Sequence, residues 1–247
     1  MTRNDMLRAG RLVLVLVAAA VAAATAQERS AHEARREQWQ RVGDILETMG
    51  VRPGSMVADI GAGDGFFTTR LATAVGPSGR VYAVDISDQA LARLRRRLAD
   101  DGAENVIVIK GAPDDPRLPN GTLDAALIVN AYHEMDEHQA MLAALRRALK
   151  PDGRLVIVEP ISERRRGASR AEQVRSHEIA PEHVVAEARS AGFRIVSLQD
   201  PFAERDNDVE WLIVLQTGPA PGNTAPPSNV ETPMSSPCSR ELDDPVL

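Results

Sequence analysis

A glycine-rich segment follows a short apolar run near residue 60 and is the first feature that could bind a ligand. Residues 57–65 read Val-Ala-Asp-Ile-Gly-Ala-Gly-Asp-Gly, and a helical pattern begins at Phe66. Glycines let a backbone approach a ligand closely, and a helix N-terminus favours a polar or anionic group. A tight connection between a strand and a helix would use the same glycines, so this segment alone is weak evidence.

Two further residues narrow the choice of ligand. The dinucleotide fingerprint G-x-G-x-x-G requires glycine at position 66, where this chain has Phe66, so a nicotinamide dinucleotide is disfavoured. Asp85 ends the next apolar run, 20 residues beyond Gly65, where a carboxylate can accept both hydroxyls of a ribose. The pattern therefore indicates a ribose ligand without a pyrophosphate.

A third polar group, Tyr132-His133-Glu134, follows the fourth apolar run, at the sheet edge where ligands of doubly wound folds bind. His133 could accept a proton from a substrate because the pKa of histidine lies near neutral pH; bonding to nearby backbone is the alternative role. A metal site of His133, Glu134 and His138 is a competing interpretation. Histidines five apart on a helix point about 140° from each other, so we predict no metal here.

The elements that would position these residues alternate between short β-branched runs and longer helical patterns. Five near-continuously apolar strands are predicted over residues 56–60, 80–84, 106–109, 125–129 and 154–158. Helices are predicted over residues 66–75, 89–99 and 135–149, and the last one ends in a Lys-Pro-Asp-Gly turn over residues 150–153. This alternation predicts an α/β fold with a Rossmann-like, doubly wound sheet.

Two more strands complete the predicted sheet. A helix over residues 181–191 closes at Gly192, and strands follow over residues 193–198 and 209–216, joined by a loop that contains Asp200-Pro201. A parallel pair needs a crossover of a dozen or more residues, for which this loop is too short. We therefore expect a seven-stranded sheet with the last strand antiparallel.

The two ends of the chain differ in composition from the region between them. Residues 1–26 have arginines, then an apolar run, then a small-residue end, which is the pattern of a cleaved secretory signal; a membrane anchor would need a longer run. Residues 218–247 hold seven of the 16 prolines, which is typical of a disordered tail. We expect one domain over residues 27–217, exported to the periplasm.

Charge and cysteine content limit the partners and the stabilising chemistry. The formal net charge is −6, and removal of residues 1–26 would make it −8. An acidic surface argues against nucleic acid or anionic membrane as the main partner, and we expect no stable membrane insertion once the signal is cleaved. The single cysteine, Cys238, excludes an intrachain disulfide.

In order along the chain, these segments resemble the class I S-adenosylmethionine-dependent methyltransferases, in particular the small-molecule branch that includes ubiquinone and menaquinone biosynthesis enzymes. The resemblance spans about residues 41–216. Residues 59–65 are similar to the first family motif, Asp85 to the ribose-binding acid, residues 111–124 to the adenine-side loop and residues 149–155 to the turn before the fifth strand. The resemblance implies S-adenosyl-L-methionine as the cofactor.

The resemblance also implies roles for single residues on the cofactor side. Asp59 would face the methionyl amino group, and Gly61, Gly63 and Gly65 would line the methionine. Asn130, just past the fourth strand, would lie beside the transferable methyl group.

The adenine-side loop departs from the family. Where the family has Gly-Asp-Ala-Glu, this chain has Gly-Ala-Pro-Asp at positions 111–114. Ala112 has no acceptor side chain and Pro113 has no N–H, so both usual adenine contacts are missing. Asp114 is the candidate replacement, with Asp115 beside it.

On the acceptor side, the segment resembles a branch of exported methyltransferase-like proteins that have a Tyr-His-Glu segment and a later histidine before a helix. This implies Tyr132, His133 and His177 as catalytic candidates. Five arginines between residues 161 and 180 could select an anionic substrate or form a solvated basic loop. The predicted function is methyl transfer to a small molecule; the alternative is an exported, non-catalytic binding protein of the same fold.

Overall fold

One seven-stranded sheet organises the computed structural model, which describes residues 27–28, 30–205 and 208–217. The predicted signal segment and tail lie outside the described residues. The strands are β1 (Met56–Ile60), β2 (Arg80–Asp85), β3 (Val106–Lys110), β4 (Leu123–Val129), β5 (Leu149–Pro160), β6 (Phe193–Arg205) and β7 (Asp208–Thr217). The helices are α1 (residues 30–39), α2 (Val42–Met49), α3 (Phe66–Val75), α4 (Asp88–Asp101), α5 (His138–Ala148), α6 (Arg170–Val174) and α7 (Pro181–Ser190).

The strand order is β3-β2-β1-β4-β5-β7-β6. Strands β1 to β5 are parallel, whereas β7 is antiparallel to both β5 and β6. The predicted Rossmann-like α/β sheet with an antiparallel last strand is therefore confirmed. Because parallel strands share one carboxyl edge, the residues that follow β1, β2, β4 and β5 all lie at that edge.

Apolar side chains cover both faces of the central strands. In β5, Leu155 and Ile157 pack into a cluster with α5 and α7, whereas Val156 and Val158 pack into a cluster with α2 and α3. All four side chains are fully buried. Side chains alternate between the faces of a strand, so burial on both faces explains the continuous apolar runs in the sequence.

The helix predicted over residues 135–149 begins later than expected. A 3₁₀ turn covers Tyr132–Glu134, and α5 starts at His138. The carboxylate of Glu159 accepts the backbone N–H groups of Ala131 and Tyr132, at 2.8 and 2.6 Å, and so fixes the turn. The Tyr-His-Glu segment is therefore held at the sheet edge before the helix begins.

Two predicted connections are strand instead. Residues 150–153 lie inside β5, whose pairing with β4 shifts register near its start. Asp200-Pro201 lies inside β6, where the pairing with β7 shifts register between Gln199 and Ala203. Irregular pairing of this kind lets a strand pass through proline and glycine without ending.

Arg41 lies between helices α1 and α2, and its left-handed backbone, with a φ angle of 52°, ends the first helix. The buried side chain of Gln40 donates to Glu210 of β7 at 2.9 Å, which fastens the end of α1 to the sheet. No helix in the described part of the chain is both long enough and apolar enough to cross a membrane.

Candidate functional site

The glycine turn, residues 61–65, connects β1 to α3 at the carboxyl edge of the sheet. Gly61, Gly63 and Gly65 have φ angles of 75°, 58° and 89°, a region that favours glycine. A Cβ on Gly61 would lie 2.5 Å from the Cβ of Ala131. A Cβ on Gly63 would meet only the Gly61 carbonyl oxygen, at 4.0 Å, so the middle of the turn is open to a ligand.

Asp85 fixes the glycine turn from the end of β2. Its Oδ2 accepts the Gly63 N–H at 2.9 Å, and its Oδ1 accepts the Ser87 N–H at 2.8 Å. Each carboxylate oxygen can accept more than one hydrogen bond. The half-buried carboxylate borders a cavity and can therefore accept hydroxyls while it holds the turn.

This cavity, of about 180 Å³, lies at the carboxyl edge of the sheet, between residues that follow β1 and β2 and residues that follow β4. One wall is formed by Gly61, Asp85 and Ile86, and the other by residues after β4, including Glu134 and Met135. The side chain of Ile86 is 56% exposed, which leaves an apolar surface beside the Asp85 carboxylate. Ile86 was not predicted from the sequence as a cavity residue. Its position directly after the acid that ends β2 could have indicated an apolar contact for the ligand.

The adenine-side loop contributes its apolar members to the cavity. Ala112 and Pro113 line it, and the Ala112 N–H donates to the Asp115 carbonyl oxygen at 2.7 Å. Asp114 is exposed and is not among the lining residues. The geometry therefore does not support Asp114 as the replacement for the missing adenine contacts.

Asp59 lies beneath the glycine turn and is 3% exposed. Its Oδ2 accepts the Thr68 hydroxyl at 2.6 Å. Burial raises the pKa of Asp59 to about 6, against the opposing effect of the Thr68 hydrogen bond. The guanidinium of Arg36, in α1, also favours the charged form of Asp59.

Asn130 follows β4 at the same edge, in the left-handed region at φ 52°. Its amide donates to Oε1 of Glu210 at 3.1 Å, the oxygen that also accepts from Gln40. The other Glu210 oxygen is buried without a hydrogen-bond partner, and burial raises the pKa of this carboxyl. Neither Gln40 nor Glu210 was singled out from the sequence, because 170 residues separate them.

Of the three catalytic candidates, His133 has the most constrained ring. It is 5% exposed, and its Nδ1 lies 2.6 Å from Oε2 of Glu159, which is fully buried. Burial lowers the pKa of His133, but the hydrogen bond to Glu159 and that carboxylate's charge raise it more, so the net shift is upward. Glu159 was missed because no local pattern links it to a histidine 26 residues earlier.

Tyr132 lies in the core, not at the cavity. It is fully buried, and its hydroxyl donates to Oε2 of Glu187 at 2.7 Å, with burial raising its pKa. His138 faces the same carboxylate, with Nε2 3.3 Å from Oε1 of Glu187. This placement argues against Tyr132 as a group that touches substrate, and it separates His138 from His133.

His177, which follows α6, contacts the Tyr-His-Glu segment. Its ring lies edge-on to that of His133, with centroids 5.7 Å apart, and its Nδ1 is 3.8 Å from Oε1 of Glu134. The buried side chain of Gln173 holds this segment, because its Nε2 donates to three carbonyl oxygens and its Oε1 accepts the Ala180 N–H. Two of the three catalytic candidates are therefore brought together.

Most arginines of the predicted basic loop are paired within the protein. Arg166 donates two hydrogen bonds to Asp200, at 2.6 and 2.7 Å, and Arg170 donates to Glu187 at 2.6 Å. Arg165 forms a longer ion pair of 3.6 Å. These contacts favour a structural role for the three paired arginines over recognition of an anionic substrate. The arginines at 164 and 175 are exposed.

Residues 57–153 match the family model described as a methyltransferase domain. The glycine turn, Asp85 and the lining of the cavity all fall within the matched residues. This region is therefore similar to methyltransferase domains.

Curated proteins similar to this chain include ubiquinone/menaquinone biosynthesis C-methyltransferases. The protein of Ectopseudomonas mendocina (strain ymp) is 36% identical over 122 residues, 49% of this chain and 47% of the relative. That of Burkholderia vietnamiensis (strain G4 / LMG 22486) is 38% identical over 109 residues, 44% of each chain. The chain therefore spans about half the length of the curated relatives it matches.

Solved structures share the fold of this chain. A SAM-dependent methyltransferase from Aquifex aeolicus has a TM-score of 0.64 at 24% identity, covering 74% of this chain and 93% of its own. A geranyl diphosphate methyltransferase in complex with SAM has a TM-score of 0.62 at 16% identity, covering 74% and 87%. The [4+2]-cyclase SpnF has a TM-score of 0.63 at 16% identity, covering 72% and 81%.

Proposed function

We propose that this protein transfers a methyl group from S-adenosylmethionine to a small molecule. The observation that supports it best is a cavity bordered by Gly61 and Asp85 on one side and by Glu134 and Met135 on the other. A donor held at the first wall and an acceptor held at the second would meet in this cavity. Alignment of two reactants in this way accounts for a large part of the rate of such reactions.

The residues present fit the cofactor. The space beside the Gly63 backbone is open, and a side chain at this position would take that space from a ligand. The Asp85 carboxylate can accept ribose hydroxyls. Ile86 and Pro113 offer apolar surface for the adenine ring. Bound there, S-adenosylmethionine would supply an electrophilic methyl group.

The chain's own task is to orient the acceptor and exclude water. Met135 and Met141 add apolar surface to the cavity beside Glu134 and Asp136. Glu159 fixes the ring of His133, so that its Nε2 is directed toward Glu134 at the rim of the cavity. In this proposal His133 and His177 act on the acceptor side, and Asp59 and Asn130 act on the donor side.

The acceptor is proposed only as a small molecule. The family match ends at residue 153, whereas the segment that carries His177 follows β5. The quinone pathways in the names of the relatives therefore do not define the substrate here.

The test is calorimetric titration of the protein with S-adenosylmethionine and S-adenosylhomocysteine. We expect both to bind, and Asp85→Ala to weaken binding by about 1 to 3 kcal/mol, because a hydrogen-bonded charged group is lost. Asp88→Ala removes a nearby exposed carboxylate, paired with Lys110, and is expected to leave the affinity unchanged. Absence of binding, or equal losses in the two variants, would overturn the proposal.

The second candidate is a non-catalytic binding protein. The likeness to a [4+2]-cyclase supports keeping it, because the fold by itself does not determine the chemistry. Incubation with methyl-labelled cofactor and a panel of phenols, thiols and amines separates the two. Tight cofactor binding without label transfer to any of them would favour the non-catalytic protein.

We also propose export to the periplasm. The support is the sequence of residues 1–26, with its arginines, apolar run and small-residue end.

A further inference from the structure

Three ligand atoms converge where the Tyr-His-Glu segment meets the segment after β5. Nε2 of His133 and Nδ1 of His177 each lie 3.8 Å from Oε1 of Glu134. All three ligand atoms lie within 4.8 Å of one another, and among the described residues this is the cluster of His, Cys, Asp or Glu suited to a metal ion. Two of these side chains are exposed, so the cluster is open to solvent.

The ring of His133 is oriented as in known metal sites. Glu159 accepts from Nδ1 at 2.6 Å and is itself fixed by two backbone N–H groups, of Ala131 and Tyr132. With its proton on Nδ1, a neutral imidazole keeps its lone pair on Nε2, the atom that faces Glu134. Metal-binding histidines usually donate their other ring N–H to a carboxylate in this manner.

His177 is held in place by its own segment. Its φ angle is 57°, an uncommon region for a residue other than glycine, and strained residues of this kind cluster at functional sites. The next residue, Glu178, accepts from both the N–H and the hydroxyl of Ser162 at the end of β5. The backbone is thus fixed while the side chain remains 77% exposed.

We propose that His133, Glu134 and His177 bind a divalent transition metal ion of the zinc class. Two imidazoles and one carboxylate suit zinc, whereas magnesium and calcium prefer oxygen ligands. Ligand atoms around tetrahedral zinc are about 3.3 Å apart, so the exposed side chains of Glu134 and His177 need only small movements to close on the ion.

This assignment revises the prediction from the sequence that His133, Glu134 and His138 bind no metal. His138 is excluded because it faces Glu187, and His177 takes its place. Three protein ligands leave one position of a tetrahedral ion free. Because Glu134 borders the cavity, we expect an acceptor bound there to supply an oxygen or sulfur atom to that position. Only this last role rests on the proposed methyl transfer; metal binding does not.

The test is titration of the purified, untagged protein with Zn²⁺, followed by calorimetry, in a Cys238→Ser background that removes the single thiol. Co²⁺ serves as a second probe, because its visible absorption reports tetrahedral coordination. The key variant is His177→Asn, since asparagine tolerates the left-handed backbone and lacks the imidazole. His138→Asn is the matched control, and Glu134→Gln tests the carboxylate at an exposed position.

We expect one equivalent of Zn²⁺ to bind, with affinity lowered about tenfold or more by His177→Asn and by Glu134→Gln, and unchanged by His138→Asn. Absence of zinc binding, or equal affinity in parent and His177→Asn, would overturn the inference. Circular dichroism and cofactor titration of each variant establish that it is folded. Intact cofactor binding without zinc binding would overturn the metal site and leave the proposed function standing.

Discussion

Asp59 is a buried carboxylate whose ionisation opposes folding. Burial raises its pKa to about 6, whereas an unfolded chain ionises an aspartate near pH 4. Between these values the folded state binds more protons, so stability falls as pH rises through this range. Above about pH 6 the full cost of the buried charge is present, and below about pH 4 it is absent.

Asp59→Asn is therefore expected to stabilise the ligand-free protein at pH 7. The gain is about 1 to 3 kcal/mol, because the buried charge disappears and the Thr68 hydroxyl can still donate to the amide oxygen. Urea unfolding at pH 7.5 and at pH 4 measures it, and the gain should vanish at the lower pH. The exposed Asp64→Asn is the control; a gain at pH 4 as large as at pH 7.5 would contradict the explanation.

A second residue-level prediction concerns adenine recognition. Ala112 lines the cavity at the position where the methyltransferases that the sequence resembles have an aspartate that accepts from the adenine amino group. Ala112→Asp is expected to tighten cofactor binding by about 0.5 to 1.5 kcal/mol, the net value of an ordinary hydrogen bond. Asp114→Ala, at the exposed neighbour, should change little. Calorimetry that finds no gain for Ala112→Asp, together with a loss for Asp114→Ala, would show that Asp114 reads the adenine.

At the scale of elements, the turn after β1 packs directly against the turn after β4. The contact is between Gly61 and Ala131, because a Cβ on Gly61 would come within 2.5 Å of the Ala131 Cβ. The two walls of the cavity therefore share a steric contact. A side chain added at Gly61 must displace Ala131.

Gly61→Ala is expected to destabilise the protein by about 2 to 4 kcal/mol, through backbone strain at positive φ and through the clash. Gly102→Ala has strain at φ 64° in the left-handed region but no atom within 4 Å of the new Cβ, and should cost about 1 to 2 kcal/mol. Adding Ala131→Gly to Gly61→Ala should recover the difference. Urea unfolding of the four proteins measures this; no recovery in the double variant would place the cost in the backbone alone.

In the molecule as a whole, the sequence predicts the features that are determined by residues close together in the chain. The glycine turn, Asp85 and the strand cores carry local signals, namely composition, period and spacing, and their predicted positions agree with the structure within a few residues. Pairs such as Glu159 with His133, or Gln40 with Glu210, depend on strand order and register. The contact of Tyr132 with Glu187 is another pair of this kind, because Glu187 comes from a distant helix.

Export is a prediction about the whole chain. Expression of the intact chain in a bacterium should yield a mature protein that begins near Gln27 and lies outside the cytoplasm, because residues 1–26 have the pattern of a cleaved signal. N-terminal sequencing of the periplasmic fraction measures this. A variant with Arg3, Arg8 and Arg11 changed to Glu is expected to remain unprocessed. Recovery of Met1 on the extracted parent protein would contradict the prediction.

The carboxyl edge of the sheet concentrates negative charge that the protein only partly balances. Asp59, Glu159 and Glu210 are almost fully buried there beside half-buried Asp85, and Arg36 is the cation that acts on both Asp59 and Glu210. A sulfonium ligand brings one positive charge to this edge, and methyl transfer would remove it. The edge would then attract the reactant more than the product, so the loss of charge would itself favour product release and limit inhibition by spent cofactor.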